Sequence, residues 1–177
     1  MKNTKVASRY AKALLELAID QKKVDSVLGD MNFLLSTSNE ARDFQMLIES
    51  PIVKTDKKIS IFELIFEQFE PITLDFVKLI TTNRREAYLP AIAEAFEALV
   101  KEHKGIVPIT LTSAVKLDDK TKEAILAKIQ VSVKGQLEVK EMIDESLIGG
   151  FVVRMGDTRI DASVASQLNN LKQRLTR

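Results

Sequence analysis

From Thr4 to about Lys104, apolar residues recur three and four positions apart, which is the spacing that places them on one face of an α-helix. Prolines interrupt this pattern, because the residue before a proline is disfavoured in helical backbone. The pattern predicts helices from Thr4 to about Ile19, from near Lys23, from about Asn39 to Ile48, from about Asp56, after Pro71, and from about Leu89 to His103. Short connections favour antiparallel neighbours, so we expect an all-α six-helix bundle over residues 1–104.

After Gly105, which would end the sixth helix, the hydrophobic period changes to the alternation that is typical of a strand. Residues 106–112 are predicted to form the first strand. Asp118 offers an N-cap to a following helix, as Asn39 does earlier in the chain. The apolar residues of 137–143 then indicate a second strand.

Two further β-rich arms flank Gly156-Asp157, a pair that suits a two-residue hairpin loop because glycine adopts positive φ without steric cost. Asp161 stands where the N-cap of a last amphipathic helix belongs. We therefore expect residues 105–177 to form a small α+β domain in the order strand, helix, strand, hairpin, helix.

The first predicted helix is apolar around most of its circumference, and the fifth resembles it. A helix of this kind is either surrounded by its own domain or contacts something else as well. We hypothesise that the first and fifth helices form a groove for an amphipathic helix of a partner, and the alternative is that both are central helices of the bundle. The apolar residues of the first helix are Val6, Ala7, Tyr10, Ala11, Ala13, Leu14, Leu15, Leu17, Ala18 and Ile19.

The composition narrows the possible functions. Hydrophobic residues make up 45% and charged residues 29%, which is ordinary globular composition. Lys and Arg number 26 against 25 Asp and Glu, so the basic excess that a nucleic-acid-binding protein needs is missing. No apolar run approaches the roughly 18 residues of a membrane span, so we expect any membrane contact to be indirect.

Candidate chemistry is sparse. The chain has no Cys, and its one His, His103, falls in the last turn of a predicted helix, where the helix dipole favours a cation. The glycines at 149, 150 and 156 have neither the dinucleotide-binding nor the P-loop spacing. The pairs Asp118-Asp119 and Asp144-Glu145 diverge in space because adjacent residues do not share a face. We expect no catalytic residue, no cofactor and no metal site.

Three segments carry a resemblance to a known family, the delta subunit of bacterial F-type ATP synthases, whose mitochondrial relative is the oligomycin sensitivity-conferring protein. The third segment is the most specific, and the resemblance is collinear over nearly the whole chain. In the second segment, Arg84-Arg85 departs from the family's common Gly-Arg arrangement. The segments are RYAKAL at 9–14, NRREAYLPAI at 83–92 with FEAL at 96–99 and TSA at 112–114, and IGGFVVRMGD at 148–157 with IDAS at 160–163.

The resemblance implies a non-catalytic subunit of the peripheral stalk, at the cytoplasmic face of the bacterial plasma membrane. In this family the N-terminal bundle holds the N-terminal helix of an alpha subunit between its first and fifth helices, and the C-terminal domain meets the b-subunit stalk. By position, the residues implied for the alpha-subunit helix are Val6, Tyr10, Ala13, Leu14, Leu17, Phe76, Leu79, Ile80 and Asn83. The signature residues Gly149, Gly150, Gly156, Asp157, Asp161 and Ser163 are expected to be structural.

Two alternatives belong to other classes. A nucleic-acid-binding or ribosome-associated α+β adaptor would need a basic face, which the balanced charge disfavours. A small enzyme is disfavoured by the single His, the absence of Cys and the lack of converging acids.

Overall fold

A computed structural model of the chain describes residues 4–115, 118–132, 135–156 and 158–175. The described chain is mostly helical and carries a small four-stranded sheet in its C-terminal part. Its contacts divide it into two compact units, Met1–Val100 and Lys101–Arg177. No helix among the described residues is long and apolar enough to cross a membrane.

Six α-helices precede the first described strand. Pro71 occupies the first turn of the fifth helix, where its fixed φ and missing N–H are tolerated. The helices are α1 (Thr4–Asp20), α2 (Val24–Glu40), α3 (Arg42–Glu49), α4 (Thr55–Ile65), α5 (Pro71–Thr82) and α6 (Leu89–His103), and a 3₁₀ turn at Glu86–Tyr88 precedes α6. The sixth helix has the predicted bounds, and Gly105 follows it at φ 66°.

The prediction that Asn39 caps the third helix is wrong, since Asn39 lies in the last turn of α2. The hydroxyls of Ser36 and Thr37 donate back to the carbonyl of Phe33, and buried Ser38 belongs to the same turn. These bonds let a polar run continue the helix instead of capping the next one. Helix α3 starts after Ala41, whose side chain makes no cap.

One apolar core joins α1 to α6. Its centre is aromatic: the ring of Phe66 stacks on Phe69 at a centroid distance of 4.4 Å and meets Phe44 edge-on at 5.7 Å. A carboxylate from α2 completes the start of α5, because Asp30 Oδ2 accepts hydrogen bonds from the backbone N–H of Glu70 and from the hydroxyl of Thr73. Asp30 thereby pairs the backbone N–H of the residue before α5 and anchors a hydroxyl of its first turn.

Helices α1 and α5 end in the same way. After α1, the N–H of Lys23 donates to the carbonyl of Ala18, and Lys22 has φ 55°. After α5, the N–H of Arg85 donates to the carbonyl of Ile80, and Arg84 has φ 55°. This is the helix-ending motif that usually places glycine in the left-handed position. The helix break at Arg84-Arg85 is therefore present although an arginine, and not a glycine, occupies the left-handed position.

A buried ion pair links helix α4 to the 3₁₀ turn before α6. Lys58 is 2% exposed, and its Nζ lies 2.5 Å from Glu86 Oε1 and 2.7 Å from the carbonyl oxygen of Ser50. The second oxygen of Glu86 is buried without a hydrogen-bond partner among the described residues. Lys58 of α4 thereby joins the connection before α4, through Ser50, to the turn before α6, through Glu86, and each charge depends on the other because both are buried.

The C-terminal unit contains a sheet with strand order β2-β1-β3-β4. Its elements are β1 (Ile106–Ser113), α7 (Asp119–Ser132), β2 (Gln136–Ile143), β3 (Phe151–Met155), β4 (Thr158–Asp161) and α8 (Val164–Leu175). Strands β1 and β2 are parallel and are joined through α7, whereas β3 runs antiparallel to β1 and to β4. Ile125 and Ile129 of α7 cover one face of the sheet at Leu111 and Val153.

The cap and hairpin of this unit match the sequence pattern in part. Asp118 Oδ2 accepts from the N–H of Thr121, so Asp118 caps α7 as predicted. Met155 pairs with Thr158, which confirms the two-residue loop, and Gly156 has φ 54°. Asp157 lies outside the described residues.

Replacing Arg84 with glycine is expected to stabilise the protein by about 0.5–1 kcal/mol, because glycine adopts positive φ without a Cβ penalty. Thermal and urea unfolding of the full chain measure the change, and Lys22→Gly should act in the same direction. Arg85→Gly is the matched control: Arg85 has φ −119°, so glycine there should not stabilise. Equal effects of Arg84→Gly and Arg85→Gly would contradict this explanation.

Replacing Lys58 with methionine is expected to cost about 3 kcal/mol of unfolding free energy, because it leaves the Glu86 carboxylate buried without its cation. The double variant Lys58→Met with Glu86→Leu should recover most of this loss, since it removes both buried charges. Urea denaturation of the two single variants and the double variant gives the coupling energy. Additive losses would show that the two side chains do not stabilise the fold as a pair.

Candidate partner-binding site

Helix α1 has two apolar stripes, and only one of them lies in the core. Residues of an α-helix are about 100° apart, so spacings of three and four define a stripe. The buried stripe contains Ala7, Ala11, Leu14, Leu15 and Ala18. A second stripe, called here the outer stripe of α1, contains Val6, Tyr10, Ala13 and Leu17. Val6 and Tyr10 are half-buried, Ala13 is exposed, and Leu17 is 49% exposed.

Helix α5 repeats this arrangement. Its buried stripe contains Thr73, Val77, Ile80 and Thr81. Its outer stripe, with the same spacing, contains Ile72, Phe76, Leu79 and Asn83. Ile72 is half-buried, Phe76 is buried, Leu79 is 54% exposed and Asn83 is exposed. An exposed leucine thus lies one turn before the end of each helix.

An aromatic contact joins the two outer stripes. The rings of Tyr10 and Phe76 meet edge to face, with centroids 6.5 Å apart and an interplanar angle of 73°. The guanidinium carbon of Arg85 lies 5.8 Å from the centre of the Tyr10 ring, within the range of a cation–π contact. These two contacts place the half-buried Tyr10 ring of α1 against Phe76 of α5 and against Arg85, which follows α5. The two outer stripes therefore belong to one surface.

Not every residue predicted for this surface reaches it. Leu14 and Ile80 are fully buried and Phe76 is nearly so, because their side chains lie in the apolar core of the first unit. In this structure they support the surface from beneath and offer a partner no side chain. The predicted residues with exposed or half-buried side chains are Val6, Tyr10, Ala13, Leu17, Leu79 and Asn83.

Sequence reasoning missed two residues of this surface. Ile72 stands one turn before Phe76, and the spacing Ile72, Phe76, Leu79, Asn83 could have identified it. Arg85 had no such signal, because its contact with Tyr10 depends on how α1 and α5 are placed in three dimensions.

The glycines of the C-terminal signature have steric reasons. Gly150 has φ 78°, and a Cβ on it would lie 2.4 Å from the carbonyl oxygen of Ala162. A Cβ on Gly149 would come within 3.1 Å of a Val164 methyl group. Because neither glycine has a Cβ, the chain before β3 can lie close to the start of α8. The N–H of Val164 donates a hydrogen bond to the Gly149 carbonyl across this close approach.

The N-cap of α8 is Ser163, and the prediction that Asp161 caps this helix is wrong. Ser163 Oγ accepts from the N–H of Ser166, whereas Asp161 Oδ1 accepts from the N–H of Ser163 at 2.9 Å. Asp161 lies at the end of β4 and shapes the turn that precedes the cap. The hydrogen bonds from Ser163, and then those from Ser166 and Arg159, lower the pKa of Asp161 to about 2.

The C-terminal unit also exposes apolar side chains. Val164 and Leu168 lie one turn apart on α8 and are 38% and 55% exposed. Ile148 and Ile160 are exposed as well. These side chains give the C-terminal unit exposed apolar area on α8 and beside β3 and β4.

The described residues contain no group of three or more His, Asp and Glu side chains placed to hold a metal ion. His103 is exposed at the end of α6.

The ionised form of Asp161 is expected to stabilise the fold above about pH 4. Its pKa in the folded chain is about 2, below the ordinary value of 3.8, so this contribution is lost as the pH falls from about 4 to 2. Asp161→Asn has no charge to titrate. The difference in unfolding free energy between the wild-type chain and Asp161→Asn should therefore shrink over that interval, as urea denaturation at several pH values measures. A difference that stays constant would contradict the lowered pKa.

Comparisons with known proteins agree with this architecture. Residues 6–175 match the OSCP family, described as ATP synthase delta (OSCP) subunit. An ATP synthase subunit delta of Cytophaga hutchinsonii is 35% identical over 179 residues, covering 99% of this chain and 97% of that protein. The ATP synthase subunit delta of Chloroherpeton thalassium is 32% identical, covering 96% and 93%.

A solved structure shows the same fold. A chain in the cryo-EM structure of the Toxoplasma gondii mitochondrial ATP synthase hexamer superposes with a TM-score of 0.72 at 24% identity, covering 97% of each chain. The family match spans both units and includes the outer stripes of α1 and α5 as well as the Gly149–Ser163 signature. The chain belongs to the ATP synthase delta (OSCP) subunit family.

Proposed function

We propose that the chain is the non-catalytic peripheral-stalk, or stator, subunit of an F-type ATP synthase. It would tether the catalytic head to the membrane sector against the torque of the rotor during proton-driven ATP synthesis. The observation that carries this proposal is the family match over residues 6–175, supported by curated relatives that cover nearly the whole chain. The protein would be a peripheral, membrane-associated subunit at the cytoplasmic face of a bacterial plasma membrane.

The mechanism is mechanical. Rotation of the central shaft exerts torque on the catalytic head, and an untethered head turns with the shaft so that no work goes into ATP. A connector in this position needs tight contacts at two ends and no reactive group. The exposed apolar area on the two units suits such a role, because burial of apolar surface supplies binding free energy without chemistry.

For one end, we place the N-terminal helix of an alpha subunit on residues 1–104, along the outer stripes of α1 and α5. A helix in this place would cover Leu17 and Leu79 and pack against the Tyr10 ring. Exposed Ala13 would allow its backbone to approach closely. Burial contributes roughly 25 cal/mol per Å² of apolar area, less the cost of ordering the partner.

For the other end, we place the b-subunit stalk on residues 105–177. The exposed apolar residues of α8 support this assignment, because they lie in a unit separate from the outer stripes. Two binding surfaces in two compact units are what a tether between two bodies requires.

Replacing Ala13 or Leu79 with aspartate is expected to weaken binding of an alpha-subunit N-terminal peptide to the full-length chain by at least about tenfold. The new carboxylate would be desolvated in an apolar interface. Both positions are exposed in the free chain, so the fold should remain. Fluorescence anisotropy measures the affinity, and circular dichroism measures the fold.

Leu64→Asp is the matched control, because Leu64 is 79% exposed on α4 and lies outside both outer stripes. Its affinity for the peptide should equal that of the wild-type chain. Normal binding by both Ala13→Asp and Leu79→Asp would show that the alpha-subunit helix does not use this surface.

A further inference from the structure

The charges of helix α1 are divided between its two halves. Its three cations, Lys5, Arg9 and Lys12, all precede its two acids, Glu16 and Asp20, and all five side chains are exposed. The dipole of a helix favours acids near its start and cations near its end, so this order is the unfavourable one for α1 itself. A locally unfavourable pattern that the fold does not need is typical of a functional surface.

Four of these charges border the outer stripe of α1. Arg9, Glu16 and Asp20 each stand three positions after a residue of that stripe, and residues three apart are neighbours on a helix surface. Lys5 stands one turn before Arg9 on the same side of the helix. The outer stripe therefore has a charged border, which is basic along the first half of α1 and acidic along the second half.

Helix α5 runs antiparallel to α1, so the end of each helix lies beside the start of the other. The guanidinium of Arg85, which follows α5, lies over the ring of Tyr10 in the first half of α1. At the opposite end, Lys23 after α1 pairs with Glu70 before α5 at 2.6 Å. Arg85 thereby adds a cation at the basic end of the charged border, whereas the Lys23–Glu70 pair adds no net charge at the acidic end.

We propose that the charged border fixes the direction in which the alpha-subunit helix lies on the outer stripes. An acidic part of that helix would lie over Lys5, Arg9 and Arg85, and a basic part over Glu16 and Asp20. Exposed ion pairs each contribute little affinity, so the apolar contacts supply the strength and the border selects between the two directions. This inference rests on the proposed function, because it orients the partner placed there.

The direction can be measured on the full-length chain, which has no Cys, so that a spin label can be attached at one introduced cysteine. A label on Thr82→Cys, at the end of α5, should broaden the NMR signals of the acidic part of an alpha-subunit N-terminal peptide from the same organism. A label on Gln21→Cys, just after α1, should broaden those of its basic part. Both positions are exposed and lie outside the outer stripes.

Two results of this experiment would overturn the proposal. One is the reverse pattern of broadening, or equal broadening of both parts of the peptide by each label. The other comes before any labelling: an alpha-subunit segment whose acids and cations are evenly distributed along its length would give the border nothing to orient.

Exchanging the charges tests the border itself. A variant with all four border charges reversed keeps the net charge of the chain, and its affinity for the peptide should fall by at least about tenfold at low salt. The fall should be smaller at high salt, because salt screens exposed charges. The four substitutions are Lys5→Glu, Arg9→Glu, Glu16→Lys and Asp20→Lys.

The matched control is Lys57→Glu with Glu67→Lys, because both residues are exposed, on α4 and just after it, and lie outside the border. This control should bind the peptide as the wild-type chain does.

The unfolding temperature of the four-residue variant separates a lost contact from a damaged fold. Its exchanged charges suit the dipole of α1, so the unfolding temperature should stay equal or rise while the affinity falls. A lower affinity that only accompanies a lower unfolding temperature would contradict the proposal. A peptide in which acids and cations are exchanged should bind the four-residue variant more tightly than it binds the wild-type chain.

The remaining outcomes distinguish the border from the site that it surrounds. Normal binding of the peptide by the four-residue variant would overturn the role of the border and leave the proposed function standing. No binding by the wild-type chain would overturn the placement of the alpha-subunit helix itself. Dimers of the wild-type chain that the four-residue variant dissociates would show that the border orients a second copy, which also contradicts the proposal.

Discussion

The structure depends on an excess of apolar surface on two helices of the first unit. Helices α1 and α5 each carry one stripe for the core and a second stripe about 100° away. The core covers the first stripe, but of the second stripes it buries only Phe76 and half-covers Tyr10 and Ile72, so Leu17 and Leu79 stay exposed. The second stripes meet where the rings of Tyr10 and Phe76 touch, so the excess is concentrated in one place. A concentrated apolar surface is suited to a partner, whereas scattered apolar residues are ordinary.

Polar interactions hold that surface in shape without taking part in it. Asp30 satisfies the first turn of α5, and the Lys58–Glu86 pair fixes the turn that leads from α5 to α6. Arg84 adopts positive φ where α5 ends, and the guanidinium of the next residue, Arg85, lies over the Tyr10 ring. The ends of α5 are therefore held by the half-buried Asp30, the buried Lys58–Glu86 pair and the exposed Arg85.

Much of this fold is predictable from the sequence, because periodicity and the prolines and glycines act locally. Helix α6 and the hairpin after β3 are examples, since Gly105 and Gly156 mark where each element ends. The prediction that Asn39 is an N-cap was wrong because the sequence of a cap and that of a continued helix are the same here. Nearby hydroxyls bond back to the backbone and let α2 continue through Asn39.

The outer stripes were predictable as a region but not residue by residue. A one-dimensional pattern shows that α1 has apolar residues on most sides, yet it does not say which of two adjacent stripes the core takes. Leu14 was assigned to the partner for this reason and lies in the core. The sequence also gives no sign that Lys140, Arg154 and Arg159 lie in one row, because they become neighbours only through strand pairing.

The two units differ in the kind of binding that their surfaces favour. The outer stripes are almost entirely apolar, and apolar burial is strong but tolerant of small changes in register. The C-terminal unit has exposed apolar residues on α8 and opposed arginines on β3 and β4, and charged pairs fix the register and orientation of a partner. A tether under torque needs both properties. Apolar burial without charged pairs would let a helical partner slide along the surface, and charged pairs without apolar burial would let it dissociate. A mainly apolar contact at one end and a charged contact at the other would divide these two demands between the two units.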